Sequence, residues 1–314
     1  IKENVKMLYP KIEPYNEFKL NVSDIHTIHV EESGNPNGKP VIFLHGGPGA
    51  GINQLYRRYF DPKVYNIILH DQRGSGKSTP YGSVENNTTQ YLIKDIKTIF
   101  EKLGIEKSII YGGSWGSTLA LLFSEKHPEL VHSLVLRGIF LCRKNDIRWF
   151  YQNGAHEIFP DKWNNFICDI PTEEHDNLLK AYHKRIHSAD IKTSEKFCMK
   201  WAEWEGQCSS LMPSPQIVKQ FSQCSVSLAK IETHFFINDC FIDENQIINK
   251  IKSIENIKCY MVHGRYDIVC PLKQAYDLNS VYPKSQLSII NDAGHSLLES
   301  GTTRKILEIF SKPN

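Results

Sequence analysis

The stretch Ile109-Ile110-Tyr111-Gly112-Gly113-Ser114-Trp115-Gly116-Ser117-Thr118-Leu119-Ala120-Leu121-Leu122 decides the architecture of this chain. A β-branched apolar run enters it, a turn of small residues with serine at its apex follows, and an apolar run suited to a helix leaves it. Glycine two before and two after the serine lets strand and helix approach closely, holding the apex in a strained conformation with its hydroxyl in a cleft. A G-x-S-x-G turn between strand and helix is a nucleophile elbow, which makes Ser114 the candidate nucleophile and aims the Trp115 N–H at the same cleft. The five-residue pattern alone is common, so its weight comes from its setting and its partners downstream.

Working outward, short apolar runs predict further strands over residues 27–30, 41–44, 67–69, 108–111, 133–136, 259–262 and 287–290. Apolar residues at helical spacing over 91–103 stop at Gly104, and a second helix runs over 118–123 after the elbow. Such alternation implies a mostly parallel central sheet with helices on both faces. Between 141 and 257 the character changes: Trp149, Trp163, Trp201 and Trp204 appear among many Lys, Glu and His residues, and no convincing strand is present. We therefore expect a core made of residues 1–140 and 258–314, interrupted by an inserted helical cap domain over 141–257 that breaks at Pro213-Ser214-Pro215.

A serine hydroxyl needs a base, and the base needs a third group to hold its tautomer. Two late loops follow strands, His263-Gly264-Arg265-Tyr266-Asp267 and Asp292-Ala293-Gly294-His295-Ser296. In a parallel sheet both open at the carboxyl edge, where the elbow sits. The order Ser114, Asp267, His295 is the one expected of the α/β-hydrolase fold. The oxyanion that forms on attack needs pre-placed N–H donors. One is Trp115, and His45-Gly46-Gly47-Pro48-Gly49 offers the second, Gly47 first and Gly46 next, although that string also suits a plain tight turn.

Other patterns carry no chemistry. Gly76-Lys77-Ser78 ends like a phosphate loop, but Asp71 occupies the place of its first glycine. Arg73, in Asp71-Gln72-Arg73-Gly74, is expected to pair with a carboxylate. His183 and His187 have i,i+4 spacing, yet Lys184 stands where a metalloprotease needs glutamate, so both read as surface histidines. We expect neither metal nor cofactor.

At 314 residues the chain has room for one large core with an excursion. A net charge of +2 gives no electrostatic footprint for nucleic acid or an anionic membrane. No apolar run approaches the roughly 20 residues that span a bilayer. Eight cysteines without a C-x-x-C pair or a secretory start read as reduced thiols, most of them packed as small apolar groups, in a cytoplasmic protein. The sequons at Asn21 and Asn87 then read as accidental. The first residue is Ile1, which leaves a segment upstream open. A monomer is expected.

With these motifs in place the chain resembles proline iminopeptidases over nearly its whole length, most specifically in Gly112-Gly113-Ser114-Trp115-Gly116-Ser117-Thr118-Leu119-Ala120. The resemblance implies a serine exopeptidase that releases an N-terminal proline from peptides, with Ser114, Asp267 and His295 as the triad. Trp201-Ala202-Glu203-Trp204-Glu205-Gly206 and Ile231-Glu232-Thr233-His234-Phe235-Phe236 resemble two further family motifs, which implies that Glu205 and Glu232 receive the substrate's amino terminus. The physics agrees, because an N-terminal proline is a secondary ammonium with two N–H bonds that two carboxylates satisfy. Carboxylates held together repel, so at least one should have a raised pKa. By position, Phe140, Phe150, Phe236 and Cys270 would line an apolar slot for the pyrrolidine ring. Phe150 departs from the tyrosine expected there, and as core aromatics Phe150 and Tyr151 are equally well explained. Two rival readings remain open: a small-molecule esterase or amidase on the same fold, and a catalytically silent scaffold.

Overall fold

The computed structural model describes residues 6–312. Its eight strands are β1 (Asn16–Asn21), β2 (Thr27–Gly34), β3 (Lys39–Leu44), β4 (Tyr65–His70), β5 (Ser108–Gly113), β6 (Val131–Arg137), β7 (Lys258–Gly264) and β8 (Ser285–Ile290). They form one sheet in the order β1-β2-β4-β3-β5-β6-β7-β8. β2 pairs antiparallel with β1 and β4, and every pairing from β4 through to β8 is parallel. The period-2 alternation of a strand divides its side chains between two cores. Ile42, Leu44, Ile68, Ile110 and Leu134 pack into one, Val41, Phe43, Ile67, Leu69 and Ile109 into the other.

Helices α1 (Thr89–Leu103) and α2 (Trp115–Lys126) supply the first core with Leu92, Ile96, Leu119 and Phe123. α1 begins where Thr88 accepts the Tyr91 N–H and ends at Gly104, whose φ of 64° is a left-handed cap. Between β6 and β7 the described chain is helical without a strand: α3 (Lys144–Tyr151), α4 (Pro160–Ile167), α5 (Leu178–Ile186), α6 (Ile191–Cys208), α7 (Pro215–Gln223), α8 (Ser225–Ile237) and α9 (Gln246–Asn249). α7 opens at Pro215, with Ser214 accepting the Ile217 N–H, so the expected break is an N-cap. α10 (Leu272–Val281) joins β7 to β8, and α11 (Ser300–Ser311) closes the second core with Ile306, Ile309 and Phe310. The outermost residues of the expected core, 1–5 and 313–314, lie outside the described residues.

Three differences from the sequence reading have plain causes. β1 is absent from the expected strands because Asn16-Glu17-Phe18-Lys19-Leu20-Asn21 holds only two apolar residues; it is a half-exposed edge strand of the kind that charge protects. β2 runs further than 27–30, through Glu31 and Glu32, two buried acids outside the apolar run that marked the strand. Arg57 grips Glu31 with two hydrogen bonds of 2.7 and 2.9 Å, and Asn16 and Asn66 donate to Glu32 at 2.7 and 3.0 Å. His183 and His187 are half-buried rather than on the surface, with rings 4.4 Å apart and His187 Nε2 3.3 Å from Thr233 Oγ1. Burial holds both imidazoles below their usual pKa, His187 down to about 4.

Arg73 pairs with Asp95 at 2.6 and 2.8 Å, both buried. All eight cysteines are free thiols; Cys168 is exposed, Cys224 half-buried and the other six are buried. No helix among the described residues is long and apolar enough to cross a membrane.

Candidate active site

The elbow is built from β5, Ser114 and α2. Ser114 has φ 57° and ψ −124°, a conformation L residues rarely adopt. A Cβ on Gly112 would run into the Gly116 carbonyl, and one on Gly116 into the Leu44 carbonyl, so strand and helix cross here only because both are glycine. Ser114 N–H donates to the Arg137 carbonyl at 2.9 Å, and Ser117 returns its N–H and hydroxyl to the Ser114 carbonyl at 2.8 and 2.6 Å. These bonds hold the apex against its strain.

After β7 and β8 the two late loops meet. His295 Nδ1 lies 2.7 Å from Asp267 Oδ2, and Asp267 Oδ1 accepts the Cys270 N–H at 2.8 Å. Burial pushes the Asp267 carboxyl up, but the His295 ring and the Cys270 N–H outweigh it and hold it below its usual value. An ionised Asp267 assigns the Nδ1–H tautomer to His295, which leaves Nε2 as its basic nitrogen. His295 and Ser114 line the same cavity, and Nε2 has no hydrogen-bond partner among the described residues.

Gln72 ties together the two loops expected to supply oxyanion donors. Its side chain donates to the His45 carbonyl at 3.0 Å and accepts the Trp115 indole N–H at 3.0 Å, while its own N–H donates to His45 Nε2 at 3.0 Å. Gly47 has a φ of 110° and lines the cavities beside Ser114; Gly46 lines the larger of them. Sequence reading gave Asp71-Gln72-Arg73-Gly74 only the pairing of Arg73 and missed this link, for which no local pattern is a signal.

Two cavities meet at Ser114, Gly47 and Glu205. The smaller is lined by Phe140, Phe150, Phe236, Cys270, Glu232 and, unassigned from sequence, Tyr151. Phe140 and Phe236 meet edge to face at 5.8 Å, Phe150 stacks on Trp204 and Tyr151 on Trp201. Glu205 comes from α6 and Glu232 from α8, 5% and 1% exposed. The two carboxyls line the same cavity and influence each other's titration. Trp201 Nε1 donates to Glu232 Oε2 at 2.6 Å, whereas Glu205 Oε2 is buried with no donor among the described residues. Burial raises both carboxyls, Glu205 to about 7; for Glu232 the charge of Glu205 adds to burial. Desolvation thus leads the effect that sequence reading attributed to repulsion.

Glu299, at the start of α11, also escaped the sequence reading. Its carboxylate accepts the N–H groups of Gly294 at 2.9 Å and Ser296 at 3.2 Å, on either side of His295, and that of Leu211 at 3.0 Å, just beyond α6. The Ser209 carbonyl accepts the N–H groups of His295 and Ser296, completing a clasp between the histidine loop and the helix that carries Glu205. Glu299→Gln places an amide NH2 against one of these N–H donors. We expect kcat/KM to fall about 10-fold and the melting temperature to drop by a few degrees, a loss of roughly 1–3 kcal/mol. Wild-type kinetics in that variant would show the clasp to be idle.

No group of three or more His, Cys, Asp or Glu among the described residues could hold a metal ion. A strained serine between strand and helix, at the carboxyl edge of a sheet flanked by helices, defines the class as an α/β hydrolase, and the family model of the alpha/beta hydrolase fold matches residues 39–302. The bromoperoxidase from Bacillus anthracis superposes with a TM-score of 0.68 at 16% identity, covering 95% of this chain and all of that one, a likeness of fold. Among curated sequences, a protein of Leptolyngbya boryana named probable proline iminopeptidase is 45% identical over 97% of this chain and 96% of its own length. The proline iminopeptidase of Arabidopsis thaliana is 45% identical over 97% of this chain and 81% of its own. The chain belongs to the proline iminopeptidase family of serine hydrolases.

Proposed function

We propose that this protein is an exopeptidase that removes an N-terminal proline from peptides through an acyl-enzyme intermediate. The observation that carries the reading is the small cavity itself: apolar walls suited to a pyrrolidine ring, an opening at Ser114, and two buried carboxyls, one with an orphan oxygen. A prolyl ammonium supplies two N–H donors and the charge that such a pair lacks. Residues 141–257 act as a cap that brings Glu205 and Glu232 over the core formed by 1–140 and 258–314. Internal peptide bonds are refused because they present no cation at that depth.

In the reaction, His295 Nε2 takes the Ser114 proton as Oγ bonds to the prolyl carbonyl carbon, and Asp267 stabilises the imidazolium. The hydrogen bond from Ser114 to Nε2 closes in the substrate complex, as such contacts tighten there. The oxyanion sits between the N–H groups of Trp115 and Gly47, worth about 3–4 kcal/mol each in the transition state. The C–N bond breaks, His295 gives its proton to the leaving nitrogen, and water attacks the ester with His295 again as base. Proline leaves and Ser114 regains its proton.

The direct test is prolyl-2-naphthylamide beside its N-acetylated form. Rapid hydrolysis of the first and none of the second is expected; faster turnover of the blocked form, or of short acyl esters, would favour an esterase. The pH dependence of KM tests the carboxyl pair. With Glu205 titrating near 7, its ionised fraction falls as pH drops, from about three quarters at pH 7.5 to about one tenth at pH 6. KM for prolyl-2-naphthylamide should therefore rise about eightfold across that interval. A flat KM would remove Glu205 from recognition of the cation.

A further inference from the structure

The proposed function fills the smaller cavity with proline and leaves the larger one, open to solvent, without an occupant. We infer that this cavity binds the second residue of the substrate and selects an apolar side chain there; the inference rests on the prolyl reading. The two cavities share Ser114, Gly47 and Glu205, so the scissile carbonyl lies where they join. The acyl and amine substituents of a carbonyl point away from each other. With the acyl side in the smaller cavity, the leaving nitrogen and its side chain enter the larger.

The walls of that cavity decide the chemistry. Leu55 and Tyr56 come from the loop after β3, Ile217, Phe221 and Leu228 from α7 and α8, and Leu297 from the loop after His295. Ile217, Leu228 and Leu297 are buried behind the surface they present. Three separate parts of the chain therefore converge on one apolar face. The polar lining residues Asn53, Gln220, Ser209 and Ser296 are neutral. Arg137 lines it as well, with Nη1 donating to the His295 carbonyl and no carboxylate paired to it among the described residues. Glu205, the one acid among the described lining residues, also lines the smaller cavity with Glu232. A leucine or phenylalanine side chain finds contacts throughout. A lysine side chain meets a guanidinium and no free carboxylate, which is a repulsive element as well as a missing attraction.

The test compares prolinamide with prolyl-leucine, prolyl-phenylalanine, prolyl-glycine and prolyl-lysine. Prolinamide releases ammonia and does not reach the larger cavity, so its hydrolysis reads the prolyl assignment alone. We expect kcat/KM for prolyl-leucine and prolyl-phenylalanine to exceed that for prolyl-glycine by about 10- to 50-fold, with prolyl-lysine at or below prolyl-glycine. Gln220→Glu, a change at a half-buried polar position, should raise the prolyl-lysine to prolyl-leucine ratio by about 3- to 10-fold. Phe221→Ala should lower the prolyl-leucine to prolyl-glycine ratio by about fivefold. Hydrolysis of prolinamide with equal rates across the four dipeptides, or ratios that neither variant moves, overturns the subsite. Failure to hydrolyse prolinamide overturns the prolyl reading instead.

Discussion

Ser114→Ala is expected to lower kcat on prolyl-2-naphthylamide by about 10⁵- to 10⁶-fold while the protein stays folded. The size of the loss follows from the reaction having no other nucleophile: with Oγ removed, His295 and the oxyanion donors can only polarise the carbonyl toward water. Folding is spared because alanine, like serine, carries a Cβ at φ 57°, so the strain of the elbow is the same in both. The bonds that restrain the apex run through the Ser114 backbone to Arg137 and Ser117 and survive the change. Circular dichroism and thermal melting should match the parent within about 1 kcal/mol. A fluorophosphonate probe that labels the parent at one site should leave the variant unlabelled. Activity within 100-fold of the parent would mean that the nucleophile lies elsewhere.

Glu205→Gln separates recognition from chemistry and has the second largest expected effect. For free-amine substrates kcat/KM should fall about 10²- to 10³-fold, because the ammonium loses a charge-assisted hydrogen bond inside a largely apolar cavity. Turnover of a blocked acyl ester, which presents no cation, should change by less than about threefold. Equal losses on both substrates would make Glu205 a structural residue.

The same substitution should stabilise the protein, and the sign follows from burial. An unfolded glutamate ionises near 4.5 and the folded Glu205 near 7, so between these values the folded state holds the extra proton. Stability is lost as pH rises through that window, up to about 3 kcal/mol above pH 7 and almost nothing at pH 4. Glutamine has no charge to desolvate and can donate its amide to Glu232. The variant should melt a few degrees higher than the parent at pH 8 and together with it near pH 4. A lower melting temperature at pH 8 would contradict the burial account. The expected gain in stability would mark the site as one where stability is given up for function.

Much of the protein is legible in its sequence because much of it is local. The glycines around Ser114 encode a close crossing of strand and helix whatever surrounds them, and an unbroken apolar run such as Val41-Ile42-Phe43-Leu44 encodes a strand buried on both faces. A parallel sheet then carries the loops after β7 and β8 to the edge where the elbow lies, so chain order alone brought Asp267 and His295 into consideration. β1 stayed hidden since an edge strand needs few apolar residues, and its pairing comes from β2.

Contacts between distant segments come from the folded packing alone, because they do not follow from periodicity. Gln72 links the His45 loop to Trp115 across the sheet, Glu299 clasps the histidine loop to the segment after α6, and Tyr151 turns toward a cavity because Trp201 stacks against it. The raised pKa of Glu205 is likewise a property of its surroundings: in a linear chain it is an ordinary helix carboxylate, and water withdrawn by α6, α8 and the core makes it titrate near neutrality. Local residue order encodes dihedral angles and which face is apolar; which faces meet, and how dry the space between them becomes, is settled only when the whole chain has folded.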